Sequence, residues 1–260
     1  MKAIRRRIDQ LMVERGFAES RHKAQALLMA GQVLVGSEKV EKPGKLVDAD
    51  APLRILGATP FVSRAGGKLQ AALNHFAISA RGRICADLGA ATGGFTDCLL
   101  QNGALAVHAY DVGAGQLAWK LSSDPRVVLH RRCNVRFLTA QDLPEGITLI
   151  AVDLSFISLT KVLVPVRDAV RARISPSDLK AAGCQADLIL LVKPQFEVGR
   201  RDVGKGGIVR DPTKQRAALA DVERFAGESG FAVGGSLPSP ITGTGGNQEF
   251  LLHLQLAPDL

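Results

Sequence analysis

No apolar run in these 260 residues approaches the roughly 20 that a membrane-crossing helix needs, so no membrane partner is expected. The basic start, MKAIRRRIDQLM, is not followed by the apolar stretch of a secretory signal. Cysteines are few: Cys85, Cys98, Cys133 and Cys184 stand far apart, with no CxxC pair. That scarcity argues against a disulfide framework or a zinc site and suits thiols in the core of a cytoplasmic protein. The dinucleotide fingerprint GxGxxG is missing as well. Acidic residues are outnumbered, 25 against 33 basic, for a formal charge of +8. The excess is uneven, because residues 1–68 hold 13 Lys/Arg and 7 Asp/Glu while the remainder is nearly balanced at 20 and 18. A basic first quarter predicts a polyanionic partner for that end of the chain.

That first quarter reads as a small α+β module. Ile8, Leu11 and Met12 make one face of a short helix stopped at Gly16. Ser20 is placed to cap a second helix carrying Ala24, Leu27 and Leu28 and ending at Gly31. QVLVGSEKVEKPGKLV then alternates as short strands. Arg5, Arg6 and Arg7 before the first helix, and Arg21 and Lys23 at the start of the second, are the candidate phosphate contacts.

From about residue 60 strands alternate with helices, the pattern of a three-layer α/β domain with a mainly parallel sheet. The expected strands are 83–88, 105–111, 126–130, 148–154, 187–193, 231–237 and 249–256. In such a sheet ligands bind beyond the carboxyl ends of the strands, and Asp87, Asp111, Asp153 and Lys193 all fall there. In ICADLGAATGGFTDCLLQNG a strand runs into a loop of small residues and then a helix. Its glycines let a ligand approach the backbone, so the loop of Gly89, Ala90, Ala91, Thr92, Gly93 and Gly94, with Phe95 in the helix expected from about Gly93 to Asn102, is a candidate cofactor site. Asp111, with Val112 beside it, ends the next strand 22 residues after Gly89 and could accept both hydroxyls of a ribose. That spacing suits either a dinucleotide or S-adenosylmethionine; the absence of a tight pyrophosphate-binding turn favours the sulfonium cofactor.

Two lysines and two acids occupy positions a core would not choose. Lys193 ends LILLVK and is followed at once by Pro194; Asp153 ends TLIAVD. Lys68 lies in SRAGGKL, expected in the first turn of a helix capped by Ser63, where it would oppose the helix dipole. Glu249 follows TGTGGNQ as the last strand begins. A buried unpaired charge costs several kcal/mol, so these four suggest a shared site.

Residues 5–50, through RIDQLMVERGFAESRHKAQALLMAGQVLV and KPGKLVDAD, resemble the S4 RNA-binding domain. Nearly the whole chain resembles the TlyA/hemolysin A family of S4-domain ribosomal RNA methyltransferases, whose catalytic half is FtsJ-like. The marks are SRAGGKL, DLGAATGGFTDCLL, DVGAGQLAWKL, VDLSFISL, LVKPQFEVGR, KGGIVRDP and TGTGGNQEFLL. The resemblance implies a Rossmann-like seven-stranded methyltransferase sheet over residues 61–260, preceded by an S4-like domain over 1–60. It places Lys68, Asp153, Lys193 and Glu249 on a Lys-Asp-Lys-Glu tetrad, and the Asp87–Phe95 loop with Asp111 and Val112 on the S-adenosylmethionine site. It adds Arg64 to the RNA contacts and implies ribosomal RNA or ribosomal subunits as partner, with a cytidine 2′-hydroxyl as acceptor. Two departures, Ala91 for the usual serine of the loop and SRAGGKL for SRGGLKL, keep the spacing.

The chemistry expected is removal of a hydroxyl proton beside an activated methyl group. A lysine serves as base only when neutral, which desolvation and a second nearby cation favour and a carboxylate opposes. Lys193 is the expected base, with Lys68 as that cation, Asp153 orienting the amine and Glu249 fixing Lys68 or the ribose. The basic, glycine-rich stretch 200–212 is a candidate cover for the substrate. Adenine N-methylation is disfavoured because DLSF replaces the [ND]-P-P-[YF] run, and pyrimidine C5 chemistry because no Cys adjoins Pro. A ribosome-binding factor that keeps the fold without the chemistry is the alternative. A monomer is favoured, and no metal is expected.

Overall fold

A computed structural model describes residues 5–18, 20–55, 60–113, 117–175, 177 and 185–256; Cys184 lies outside them. The chain divides into two compact units, residues 1–58 and 59–260.

In the first unit β1 (Arg5–Arg7) pairs antiparallel with β4 (Leu46–Asp48). Strand β2 (Val33–Val35) pairs with both β3 (Glu38–Lys39) and β5 (Leu53–Ile55). Helices α1 (Ile8–Glu14) and α2 (Arg21–Met29) pack Ile8, Leu11, Met12, Ala24 and Leu28 onto Val33, Val40 and Val47. The Ser20 side chain accepts the backbone N–H of Lys23, as its cap position predicts.

The second unit is built on seven strands in the order β8-β7-β6-β9-β10-β12-β11. They are β6 (Ile84–Leu88), β7 (Ala106–Asp111), β8 (Val127–Arg131), β9 (Ile147–Val152), β10 (Ala186–Val192), β11 (Ala232–Pro238) and β12 (Phe250–Leu256). Strands β6 to β10 pair in parallel, and β12 runs antiparallel to both neighbours. Each expected strand is present, although the ladders of β9, β10 and β12 stop one or two residues short of the sequence expectation. Asp153, Lys193 and Glu249 therefore lie just outside them.

Both faces of the sheet are covered. On one, Ile150, Val152, Leu190, Val192 and Leu252 meet α6 (Leu163–Arg171) and α8 (Pro212–Glu228). On the other, Cys85, Leu149, Ile189, Leu191 and Leu251 meet α3 (Arg64–His75) and α4 (Gly94–Gln101). Strands buried on both faces read as near-continuous apolar runs, which is why LILLV and TLIAV stood out. The connection order reverses between β6 and β9, and a ligand crevice opens at such a point.

Candidate active site

The loop after β6 is shaped by glycine where no side chain fits. Gly89 has φ +98°, and a Cβ there would lie 2.3 Å from the carbonyl oxygen of Asp153. Its N–H and that of Ala90 both donate to the Tyr110 carbonyl, at 2.9 and 3.0 Å. Asp111 fastens the loop from the next strand, its carboxylate accepting the N–H of Ala91 at 2.8 Å and of Gly113 at 2.6 Å. Each of those oxygens keeps a further lone pair for a ligand hydroxyl.

A cleft of about 440 Å³ lies against this loop, lined by Gly89, Ala91, Tyr110, Asp111, Val112 and Asp153 among others. Of the expected cofactor residues, Gly89, Ala91, Asp111 and Val112 reach it. Phe95 does not: it is 2 % exposed and packs in the core between α4 and the sheet. Position 95 falls in the first turn of α4, and the helix turns its ring inward, away from the cleft. Gly93 and Gly94 shape the helix start, where a Cβ on Gly94 would meet the Ser63 hydroxyl at 2.2 Å.

Asp87 lies beneath the loop with no exposure at all. One oxygen accepts from the Thr96 N–H at 2.8 Å and the Thr96 hydroxyl at 2.6 Å; the other, Oδ1, has no partner. Burial pushes its carboxyl up to about 7, against the Thr96 bonds and with the charges of Asp153 and Asp111 adding to the rise. The folded state then holds a proton that the unfolded chain releases near pH 4. Stability from this group is present below that pH and is lost as pH rises through about 7. Asp87→Asn should flatten the loss, raising the melting temperature at pH 8 by on the order of 5 °C and changing it little at pH 4, as read by calorimetry.

The four charged candidates converge. Along β9, β10 and β12 alternate residues face opposite layers, and Asp153, Lys193 and Glu249 fall in phase with Ala151, Leu191 and Leu251, on the α3 side. Val192–Phe250 is the last rung between β10 and β12, so Lys193 and Glu249 are the next cross-strand neighbours. Lys193 Nζ contacts Asp153 Oδ1 at 2.6 Å and donates to the Ser155 hydroxyl at 3.0 Å. Lys68 Nζ donates to Glu249 Oε2. Both lysines are 8 % exposed and Glu249 3 %, so each buried ammonium has the partner its burial demands.

Pro194 explains how the lysine is held. It begins the short helix α7 (Pro194–Glu197), and Lys193 before it is extended at φ −115°, ψ 100°, the conformation a following proline enforces. Lys68 is the fifth residue of α3 rather than part of its first turn, so the helix dipole bears on it little. Its pairing with Glu249 offsets the charge it was expected to project onto Lys193.

Several cleft residues carry no advance signal: Tyr110, Cys133, Asn134, Arg136, Ser155 and Phe156. Phe156 is 91 % exposed at φ +65°, a left-handed conformation unusual for an aromatic residue. Its ring lies 5.2 Å from that of Phe196, over which Lys193 Nζ sits at 5.9 Å. The basic stretch 200–212 is pinned through Asn247, whose amide donates to the Gly207 carbonyl and whose carbonyl accepts the Val209 N–H. Among the described residues no group of three or more His, Cys, Asp or Glu side chains converges as a metal site would require.

In the first unit a residue absent from the expectations organises two that were present. Asp9 is fully buried and accepts from Arg7 at 3.1 and 3.0 Å, Arg21 at 3.0 Å and Gln25 at 3.1 Å. The Arg7 bonds, opposed by burial, hold the Asp9 carboxyl well below the usual range. Arg5 and Arg6 face Asp48 at 3.8 Å and Glu14 at 3.1 Å. Lys23 is exposed, and Arg64 lies on the second unit at the start of α3, also exposed.

Residues 61–256 match the FtsJ-like methyltransferase family and residues 6–52 the S4 domain. YqxC of Bacillus subtilis, named as a candidate rRNA methyltransferase, is 46 % identical over 98 % of this chain and 87 % of its own length. The 16S/23S rRNA (cytidine-2′-O)-methyltransferase TlyA of Mycobacterium tuberculosis is 42 % identical over 99 % of this chain and 92 % of its own. A solved hemolysin candidate from Streptococcus thermophilus superposes with a TM-score of 0.72 at 38 % identity, covering 98 % of this chain and 90 % of that one. The chain belongs to the FtsJ-like methyltransferases, in the TlyA/hemolysin A group, and carries an S4 domain ahead of its methyltransferase fold.

Proposed function

We propose that the protein transfers a methyl group from S-adenosylmethionine to a ribose 2′-hydroxyl of ribosomal RNA, a cytidine by analogy with TlyA. Residues 1–60 would hold the RNA, residues 61–260 would perform the transfer, and the protein would act as a monomer in the cytoplasm. The observation that carries this reading is the pair of buried ion contacts, Lys193–Asp153 at the ends of β10 and β9 and Lys68–Glu249 between α3 and the start of β12, with Asp153 lining the cleft.

The residues present fit the cofactor. Gly89 leaves its backbone bare where the loop meets Asp153, Asp111 offers acceptors for a ribose, and the buried Oδ1 of Asp87 lacks a partner. The Asp111 carboxylate at the cleft wall suits a cationic ligand. When bound, the cofactor supplies a methyl group already activated by its sulfonium. Lys193, in its neutral form, takes the proton leaving the 2′-oxygen at Nζ, oriented by Asp153 and Ser155. The Lys68–Glu249 pair fills the neighbouring space and excludes water. The exposed ring of Phe156 beside Lys193 gives an unstacked base a face to lie against.

Binding of RNA would draw on Arg7 and Arg21, both held by Asp9 with outer N–H groups facing solvent. Freeing both side chains gives up preorganisation worth about 0.5–1.5 kcal/mol each. Asp9→Ala should therefore weaken binding to a ribosomal RNA fragment roughly tenfold, measured by filter retention, with cofactor affinity unchanged. The function itself is tested by mapping 2′-O-methyl marks on ribosomal RNA from cells with and without the gene, and after incubation with purified protein. Marks that are identical in both cases reject it.

A further inference from the structure

The turn that follows Lys193 carries another ionisable side chain, Glu197, which the methyl-transfer scheme leaves without a role. It ends α7 half-buried. Its Oε2 accepts the Ser158 hydroxyl at 2.5 Å and its Oε1 the Leu159 N–H at 2.9 Å. Burial pushes this carboxyl above the usual glutamate range even against those two bonds. A carboxylate kept in such surroundings has been given specific partners rather than solvent.

Those partners belong to the segment that serves Lys193. At one end of α7, Lys193 holds Asp153 and Ser155; at the other, Glu197 holds Ser158 and Leu159. Segment 153–159 is thereby tied to a single helical turn at both its beginning and its end. Between the ties stands Phe156 at φ +65°, a conformation that costs about 1–2 kcal/mol for a residue with a side chain and persists only where its surroundings fix it. Among the described residues no other hydrogen bond joins 156–159 to α7, and the rings of Phe156 and Phe196 meet at 5.2 Å between their centroids.

We propose that Glu197 is a positioning residue, whose two hydrogen bonds hold segment 153–159 so that Asp153, Ser155 and Phe156 stay aligned with the Lys193 amine. The proposal rests on the methyl-transfer reading above. Glu197 touches neither cleft nor reacting atoms. Its effect passes through the segment, and a displacement of about 1 Å at reacting groups can cost on the order of 10²-fold in rate.

The test compares Glu197→Ala with Glu197→Gln in the full chain, at a temperature well below melting. Glutamine can accept the Leu159 N–H through Oε1 and donate Nε2–H to the Ser158 hydroxyl. The expected result is a kcat for ribosomal RNA methylation lowered on the order of 10²-fold in Glu197→Ala. RNA and cofactor dissociation constants should stay unchanged, and most of the rate should return in Glu197→Gln. Parental turnover in the alanine variant overturns the proposal, as does an equal loss in both variants, since charge rather than the two bonds would then matter. Should the alanine variant not fold, Ser158→Ala, which cuts one tie, takes its place: a reduced kcat supports the proposal and a parental one overturns it. A parent that methylates no RNA defeats the functional reading instead. Hydrogen exchange across residues 154–159 then decides the tie on its own, with faster exchange in the alanine variant alone in its favour and equal exchange against it.

Discussion

Lys193→Ala should lower kcat for methyl transfer by on the order of 10²–10⁴-fold, the usual contribution of a positioned base, while the cofactor still binds. In the proposed reaction a sulfonium methyl needs no further activation, so the barrier left to the protein would be alignment and disposal of one proton. Two amines are buried at the site, and their partners distinguish them. Asp153 and Ser155, which hold Lys193, both line the cleft, whereas Lys68 is turned onto Glu249 and neither lines it. The alanine variant leaves Asp153 beside an empty volume and without its cation, which costs stability as well as rate. Lys193→Met, of similar length and no charge, separates the two effects: it should retain the packing and still lose the turnover. Titration calorimetry with S-adenosylmethionine checks that the cleft survives, and single-turnover assays on ribosomal RNA read the chemical step. A kcat near the parental value in the methionine variant removes Lys193 from the mechanism.

Much of this arrangement was legible because strand ends are legible. Apolar runs such as LILLV and TLIAV must be strands buried on both faces, so the first charged residue after each run marks the rim of the sheet. What could not be read was which charge meets which. The pairing of Lys68 with Glu249 joins residues far apart in the chain and depends on the register of β12 against β10 and on where α3 lies across them. Phe95 shows the opposite limit. Its place just after a glycine loop suggested a ligand contact, but the inward face of α4 claims the ring. Asp9, which drew no expectation, stands in the first turn of α1. Its value comes from α2 bringing Arg21 and Gln25 back onto it, a contact that no local pattern encodes. Phe156 was equally silent, since neither its exposure nor its left-handed backbone follows from the residues beside it.

Gly89→Ala should be nearly as damaging as loss of the lysine, for a different reason. The Cβ would lie 2.3 Å from the Asp153 carbonyl oxygen and 2.9 Å from the Asp153 carbonyl carbon. Main-chain atoms of a central strand's end cannot swing aside as a flexible side chain can. Either the loop lifts off β9 or Asp153 is displaced, and both moves disturb the cofactor cleft and the Lys193 contact together. A shift of about 1 Å in that carboxylate is enough for on the order of 10²-fold in turnover, with cofactor affinity falling in parallel. Backbone strain alone cannot account for such a loss, and Gly82 supplies the control. It too has a positive φ, +72°, but nothing lies within 4 Å of where its Cβ would stand. Gly82→Ala therefore bears only the left-handed penalty of about 1–2 kcal/mol, lowering the melting temperature by several degrees and leaving kcat and cofactor binding at parental values. Equal behaviour of the two variants in calorimetry and turnover would show that the loop tolerates a side chain against β9, and that the close approach of Gly89 to Asp153 does not shape the cleft.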